Sequence, residues 1–199
     1  MNDSLARIIL GVVVGGTLLM RMYFNRKSFQ AAKQDGVTWK ESRLNQTARF
    51  LAGMGGIALM VLYIINPQWL AWASLPLPGW LRWAGAALAV AGAGLLWWVQ
   101  TSLGRNFSGN LHVLGNHQLV TSGPYRWVRH PMYSVFYVLF VSWFLITANA
   151  LIGVLWIGTI TLIVFDRLDH EEQVMLETFG DEYRQYMQRT GRLLPKFSR

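Results

Sequence analysis

Residues 132–165 read MYSVFYVLFVSWFLITANALIGVLWIGTITLIVF, 34 positions without one Asp, Glu, Lys or Arg. An α-helix rises about 1.5 Å per residue, so roughly 20 apolar residues cross a bilayer core of about 30 Å. The run is too long for one ordinary span and short for two. Asn149, near its middle, therefore predicts a tight hairpin of two membrane helices. Pro131 opens the run and suits a first helical turn, where its missing N–H costs nothing. Asp166 closes it, and the residues from 166 onward are polar, helical to about Phe179, broken at Gly180 and restarted at Asp181.

The rest of the chain agrees with a membrane solvent. Of 199 residues 53% are hydrophobic and only 14% charged, where a soluble domain carries about a quarter. An ordinary soluble globule, a disordered chain, collagen and coiled coil are excluded on that balance. Residues 5–24 form a first apolar run flanked by Arg7 and Arg21, read as a retained helix because no basic n-region or cleavage site marks a signal peptide. A second run covers residues 50–73, with its helix ending near Asn66 ahead of Pro67 and with Trp69 and Trp72 at the interface. Residues 74–79, with Pro76 and Pro78, read as a turn. A third span covers residues 80–100, where Gly85, Ala86, Ala89, Gly92 and Ala93 permit close helix approach. The expected fold is all-α: one polytopic membrane domain over residues 1–199, with about five spans and cytoplasmic C-terminal helices. Its first half, 1–100, holds three spans and the basic loop 25–49. Its second half, 101–199, holds the loop 101–131, the hairpin 132–165 and the helices of 166–199.

Cations set the expected orientation. The chain has 18 Lys and Arg against 10 Asp and Glu. They fall between apolar runs rather than on one soluble face, which argues against a nucleic-acid binder. Five spans place 16 of the 18 cations on one side, leaving Arg7 and Arg82 on the other. Because Lys and Arg stay cytoplasmic, the N-terminus is expected outside and the C-terminus inside. Cysteine is absent, which removes disulfides, thiolate metal sites and a cysteine nucleophile.

That orientation puts the loop 101–131 and the polar tail on one membrane face, where they can build one site. The loop ends in Gly123-Pro124-Tyr125-Arg126-Trp127-Val128-Arg129-His130-Pro131-Met132-Tyr133, a dense set of donors and rings at a span entrance. In the tail, Arg167 stands one turn before Glu171, and Glu172 follows. Neighbouring residues on a helix point about 100° apart, so one Glu at most is expected to face a pocket squarely. His112, His117, His130 and His170 lack the H-x-x-x-H or H-E-x-x-H spacing of a metal site. Taken singly, Arg126 and Arg129 are equally well explained as holders of lipid phosphate, and the glutamates as a solvated face.

The joint pattern resembles the isoprenylcysteine carboxyl methyltransferase family, itself similar to the phospholipid methyltransferases. The resemblance rests on Leu103-Gly104-Arg105-Asn106-Phe107-Ser108, on residues 119–133, on Glu171-Glu172, and on Phe179-Gly180 with Tyr183 and Tyr186. It covers residues 101 to 195, about half the chain. It implies an integral membrane methyltransferase that takes S-adenosylmethionine as donor on the cytoplasmic face. The implied acceptor is hydrophobic or prenylated, an isoprenylcysteine carboxylate first of all, and enters sideways from the bilayer. Carried over, Tyr125, His130, Pro131, Tyr133, Glu171 and Glu172 are the cofactor residues. Arg129 orients the acceptor anion, with Arg189 a weaker partner. Val135 departs from the Gly that many relatives carry two residues after the motif Tyr. Physical chemistry is consistent with this set, since a cationic sulfonium is attracted to carboxylates and aromatic faces. Methyl displacement needs alignment more than acid–base chemistry. The competing readings are an NADPH-dependent membrane reductase and a non-catalytic lipid-binding protein.

Overall fold

The computed structural model describes residues 1–34, 43–103 and 119–196. Over these the chain forms five α-helices, α1 (Asp3–Gln34), α2 (Arg43–Ile65), α3 (Gly79–Leu103), α4 (Pro131–Thr147) and α5 (Ala150–Arg189), with short 3-10 segments at Pro67–Ala73 and Gly123–Arg126. It is an all-helical, multi-pass membrane protein. By length and apolarity α1, α3 and α5 each suffice to cross a membrane. The segment Arg49–Ile65 with Pro67–Ala73, bent by 115°, makes a fourth if taken as one broken span, and α4 is a shorter apolar helix of 17 residues. The expected five helices are present, while length alone selects three or four spans because Pro67 breaks one and the tight hairpin shortens another.

The hairpin forms at the expected residue. Ala148 adopts a left-handed φ of 49°, ending α4, and Asn149 caps α5 by accepting from the Ile152 N–H at 3.2 Å. The Asn149 amide also donates to the Leu70 carbonyl at 2.8 Å, and the Leu75 N–H donates to the Ala148 carbonyl at 2.7 Å, pinning the Pro67–Ala73 segment to the turn. Asn149 is fully buried. Asn149→Ala removes both a cap and a buried hydrogen bond, and is expected to cost about 2 kcal/mol. Thermal unfolding in detergent or nanodiscs measures that loss.

Small residues draw α3 and α4 together. A Cβ on Gly85 would lie 2.7 Å from Leu145 Cβ, and one on Gly92 would lie 2.8 Å from Leu139 Cδ2, so neither position admits a side chain without displacement. Val135 joins this core, buried on α4. At the far end from the site, the two cations expected on the opposite face cap helix C-termini. Arg7 donates to the Ile64 and Ile65 carbonyls of α2 at 2.5 and 2.6 Å, and Arg82 donates to Ile146 of α4 at 3.0 Å while pairing with Asp3 at 3.0 Å. Cations at helix C-termini meet both the orphan carbonyls and the helix dipole.

One expected loop is shorter than the composition suggested. α1 continues ten residues past the predicted end at 24, and α2 starts at Arg43, so only residues 35–42 of the expected loop 25–49 lie outside the described residues. The extension NRKSFQAAKQ holds no Gly or Pro, and a helix leaving a membrane has no reason to stop where apolarity stops. Residues 104–118, including Gly104, Arg105, Asn106, Phe107, Ser108, His112 and His117, likewise lie outside the described residues.

Candidate functional site

The site grows from a chain crossing just before α4. Residues 127–130 run parallel to residues 191–192, with Val128 bridged to Gly191. The Gly191 N–H donates to the Trp127 carbonyl at 3.1 Å, the Arg129 N–H to the Gly191 carbonyl at 2.8 Å and the His130 N–H to the Arg192 carbonyl at 3.1 Å. Ser134 Oγ adds a bond to the Leu193 carbonyl. Tail residues reach this strand because α5 kinks at Gly180, whose φ of 52° and ψ of −121° are closed to L-residues. Beyond the kink, Tyr183 and Tyr186 are buried, and Tyr186 donates to the Tyr125 carbonyl at 2.6 Å.

The crossing presents Arg129, His130 and Tyr133 to the two glutamates of α5. Arg129 Nε donates to Glu172 Oε1 at 2.9 Å, and its Nη1 donates to the Thr190 and Met187 carbonyls at 2.5 and 3.2 Å. His130 Nε2 lies 3.2 Å from Glu172 Oε1, and its Nδ1 lies 3.5 Å from Glu171 Oε2. The Tyr133 hydroxyl donates to Glu171 Oε1 at 2.7 Å, and Arg167 Nη2 pairs with the same oxygen at 3.2 Å. Arg192 Nη2 pairs with Glu172 Oε2 at 3.0 Å and with Asp169. Both glutamates thus enter one cluster, Glu171 also pairing with the Arg167 cation. The reason is the imidazole between them: its two ring nitrogens look in different directions, so carboxylates about 100° apart on a helix each find one.

Electrostatics follow from this enclosure. Burial alone would lower the His130 imidazole, but hydrogen bonds and charge from Glu171 and Glu172 outweigh it and hold the pKa above the ordinary 6.5. The stability His130 contributes is then fully present below about pH 6.5 and is lost as pH rises through its raised folded value. The unfolding-temperature gap between the wild type and His130→Gln is expected to narrow as pH rises above about 6.5. A gap that widens with pH would contradict the pairing. Arg192 is raised above its usual value by its bond to Asp169 and by Glu172.

Of the expected site residues, Arg129, His130, Tyr133, Glu171 and Glu172 come together. Pro131 is buried as the first residue of α4, and Tyr125 is buried beside the tail. Arg189 is exposed and, among the described residues, makes no bond to the cluster. Arg126 lies outside it too, its guanidinium 5.4 Å from the Trp127 ring centroid. Sequence reasoning missed Arg192 and Asp169. Asp169 stands three residues before Glu172 and shares its helix face, a spacing that signals it. Arg192 had no local signal, because its partners lie 20 and 23 residues away in sequence.

Two arginines of the cluster, Arg129 and Arg192, differ in what they leave over. Arg129 is 9% exposed and is held by one carboxylate and two carbonyls, whereas Arg192 is 39% exposed and its buried Nε–H has no partner.

Residues 85–177, which hold α4, His130, Tyr133 and both glutamates, match the sequence model of the isoprenylcysteine carboxyl methyltransferase family. The chain is 33% identical over 129 residues to protein-S-isoprenylcysteine O-methyltransferase of Homo sapiens, covering 62% of this chain and 44% of the human protein. It therefore spans under half the length of that relative. Methanethiol S-methyltransferase 1 of Bradyrhizobium diazoefficiens is 41% identical over 71 residues, 36% of this chain and 24% of that protein. A solved eukaryotic intramembrane Ras methyltransferase, an isoprenylcysteine carboxyl methyltransferase, has the same fold with a TM-score of 0.58 at 21% identity, covering 94% of this chain and 67% of that one. The family segment ends at 177, yet Arg192 and the carbonyls that hold Arg129 lie beyond it.

Proposed function

We propose that this chain is an S-adenosylmethionine-dependent membrane methyltransferase whose acceptor carries an apolar chain and a carboxylate, as a prenylated cysteine does. The observation that supports it best is the Glu171–His130–Glu172 cluster, which unites the two motif blocks of the family segment at one end of the helices. Residues 101–199 are the catalytic half in this reading. The cluster's end of the bundle faces the cytoplasm, in keeping with the cation distribution.

The donor set fits the cofactor. When bound, S-adenosylmethionine supplies an activated methyl group on a cationic sulfonium. The partnerless Nε–H of Arg192 is a donor for a carboxylate. Each glutamate accepts bonds from three side chains and a carboxylate offers about four acceptor positions, so capacity remains for an ammonium group. Tyr133 offers an aromatic face for a cation, and Tyr125 and Pro131 shape the wall. Arg129, held by one carboxylate and two carbonyls, acts in this reading as a positioning residue that fixes Glu172. The acceptor anion falls to exposed Arg189. A carboxylate acceptor is ionised at neutral pH, so the chain needs to align it rather than deprotonate it.

Calorimetric titration of S-adenosylhomocysteine into the full chain in nanodiscs is expected to show saturable binding and a thermal shift that NADPH does not reproduce. Absence of saturable binding, or stabilisation by NADPH instead, removes the reading. The match to the methanethiol S-methyltransferase favours a second acceptor class, a small thiol. Mass spectrometry after incubation with methyl-labelled donor separates the two: label on a prenylated cysteine ester supports the carboxylate, and label in dimethyl sulfide the thiol.

A further inference from the structure

Gln100 is 0% exposed, and among the described residues neither its amide nitrogen nor its amide oxygen has a hydrogen-bond partner. It lies in α3, a helix long and apolar enough to cross the membrane, where its buried neighbours are Leu96 and Val99. Leucine would fill similar volume with nothing left unmet. A buried amide with both ends unpaired is costly and rare, and polar groups inside a span commonly mark a ligand path.

Helix register locates this amide. Gly85 of α3 faces Leu145, and Gly92 faces Leu139. The two helices are antiparallel, so each residue up α3 moves about one residue back along α4. Gln100 thereby reaches the level of Pro131 and Met132, the turn that carries Tyr133 to Glu171. From the other side, Phe24 of α1 meets the Trp97 ring at 5.5 Å, and Arg21 of α1 donates to Met132 Sδ at 3.4 Å with its guanidinium 5.2 Å from the Phe136 ring centroid. At about 100° per residue, Gln100 falls between the stripe facing α4 and Trp97 facing α1. It points into the seam of α1, α3 and α4 at the depth of the site.

A primary amide carries both donor and acceptor, and a second amide satisfies both edges at once. We propose that Gln100 binds an amide at the polar end of the acceptor, whose apolar chain runs outward along the α1–α4 seam. This rests on the methyl-transfer reading and makes Gln100 a specificity-determining residue for it.

The test uses two probes, N-acetyl-S-farnesylcysteine and 3-(farnesylthio)propanoic acid. Both carry the same prenyl thioether and carboxylate, and only the first has the acetamide. The full chain in nanodiscs is expected to prefer the first by about 10- to 100-fold in kcat/KM, the loss that one unmet buried hydrogen-bonding group produces. Gln100→Leu, with Gln100→Met as a second variant of similar volume, is expected to bring that ratio near one while leaving the Kd for S-adenosylhomocysteine unchanged. A wild-type ratio near one overturns the inference without any variant. So does a ratio that survives in either variant, or a Gln100→Leu protein that only melts higher with acceptor kinetics unchanged, as a trapped water would predict. A wild type that binds no S-adenosylhomocysteine overturns the methyl-transfer reading, and this inference with it.

Discussion

Glu172→Gln is expected to weaken S-adenosylhomocysteine binding by about 100-fold or more, the largest effect of any single change in the site. Glu172 is buried and holds three groups at once: Arg129 and His130 on one oxygen and Arg192 on the other. Glutamine keeps the shape but removes the charge. Arg129, itself nearly enclosed, would then be a buried cation facing an amide. Breaking one side of a buried ion pair costs about 3–5 kcal/mol, and about 1.4 kcal/mol is tenfold in affinity. Glu171→Gln should cost less, since Glu171 is more exposed and Tyr133 can still donate to the amide oxygen. Calorimetry on both variants, with circular dichroism to confirm helicity, checks the order. A Glu172→Gln protein that binds within threefold of wild type would remove Glu172 from the centre of the site.

Gly180→Ala is expected to damage the same site from a distance. A Cβ at this position would meet nothing within 4 Å, so crowding is not the issue. The backbone sits at φ 52° and ψ −121°, a region that costs a non-glycine residue about 1–3 kcal/mol. Alanine relieves that strain by straightening α5, which carries Tyr183, Tyr186 and Thr190 away from Tyr125 and Arg129. The expected readout is faster amide exchange at residues 127–130 and 191–192, together with about tenfold weaker ligand binding. Gly158→Ala is the control, since Gly158 also has open space around it but has no positive φ. Equal exchange in the two variants would mean that the kink does not hold the tail in place.

The hairpin was legible because two local signals coincided: a charge-free run of awkward length, and Asn149 inside it. The break after Ile65 was legible for the same reason, through Asn66 and Pro67. The length of α1 was not, because apolarity reports where a helix meets lipid and not where its hydrogen bonds stop. In the site, the density of donors at residues 123–133 and the paired glutamates could be seen, and that they meet at one end of the helices followed from the cations. That both glutamates clasp one imidazole could not, since helix spacing describes their own directions and not those of the ring between them. Arg192 was invisible because parallel pairing of residues 127–130 with 191–192 has no turn, no alternation and no sequence neighbour to announce it.

That pairing also sets an order of assembly. A chain leaves the ribosome from its N-terminus, and Val128 is made 63 residues before the Gly191 it bridges. During that interval α4 and α5 can enter the membrane and close on each other through Asn149, but the N–H groups of Arg129 and His130 have no strand to bond and Glu172 has no Arg192. The stretch around Gly191 and Arg192, translated after both helices, is the one that completes the cluster. The site therefore matures after the bundle is already in place.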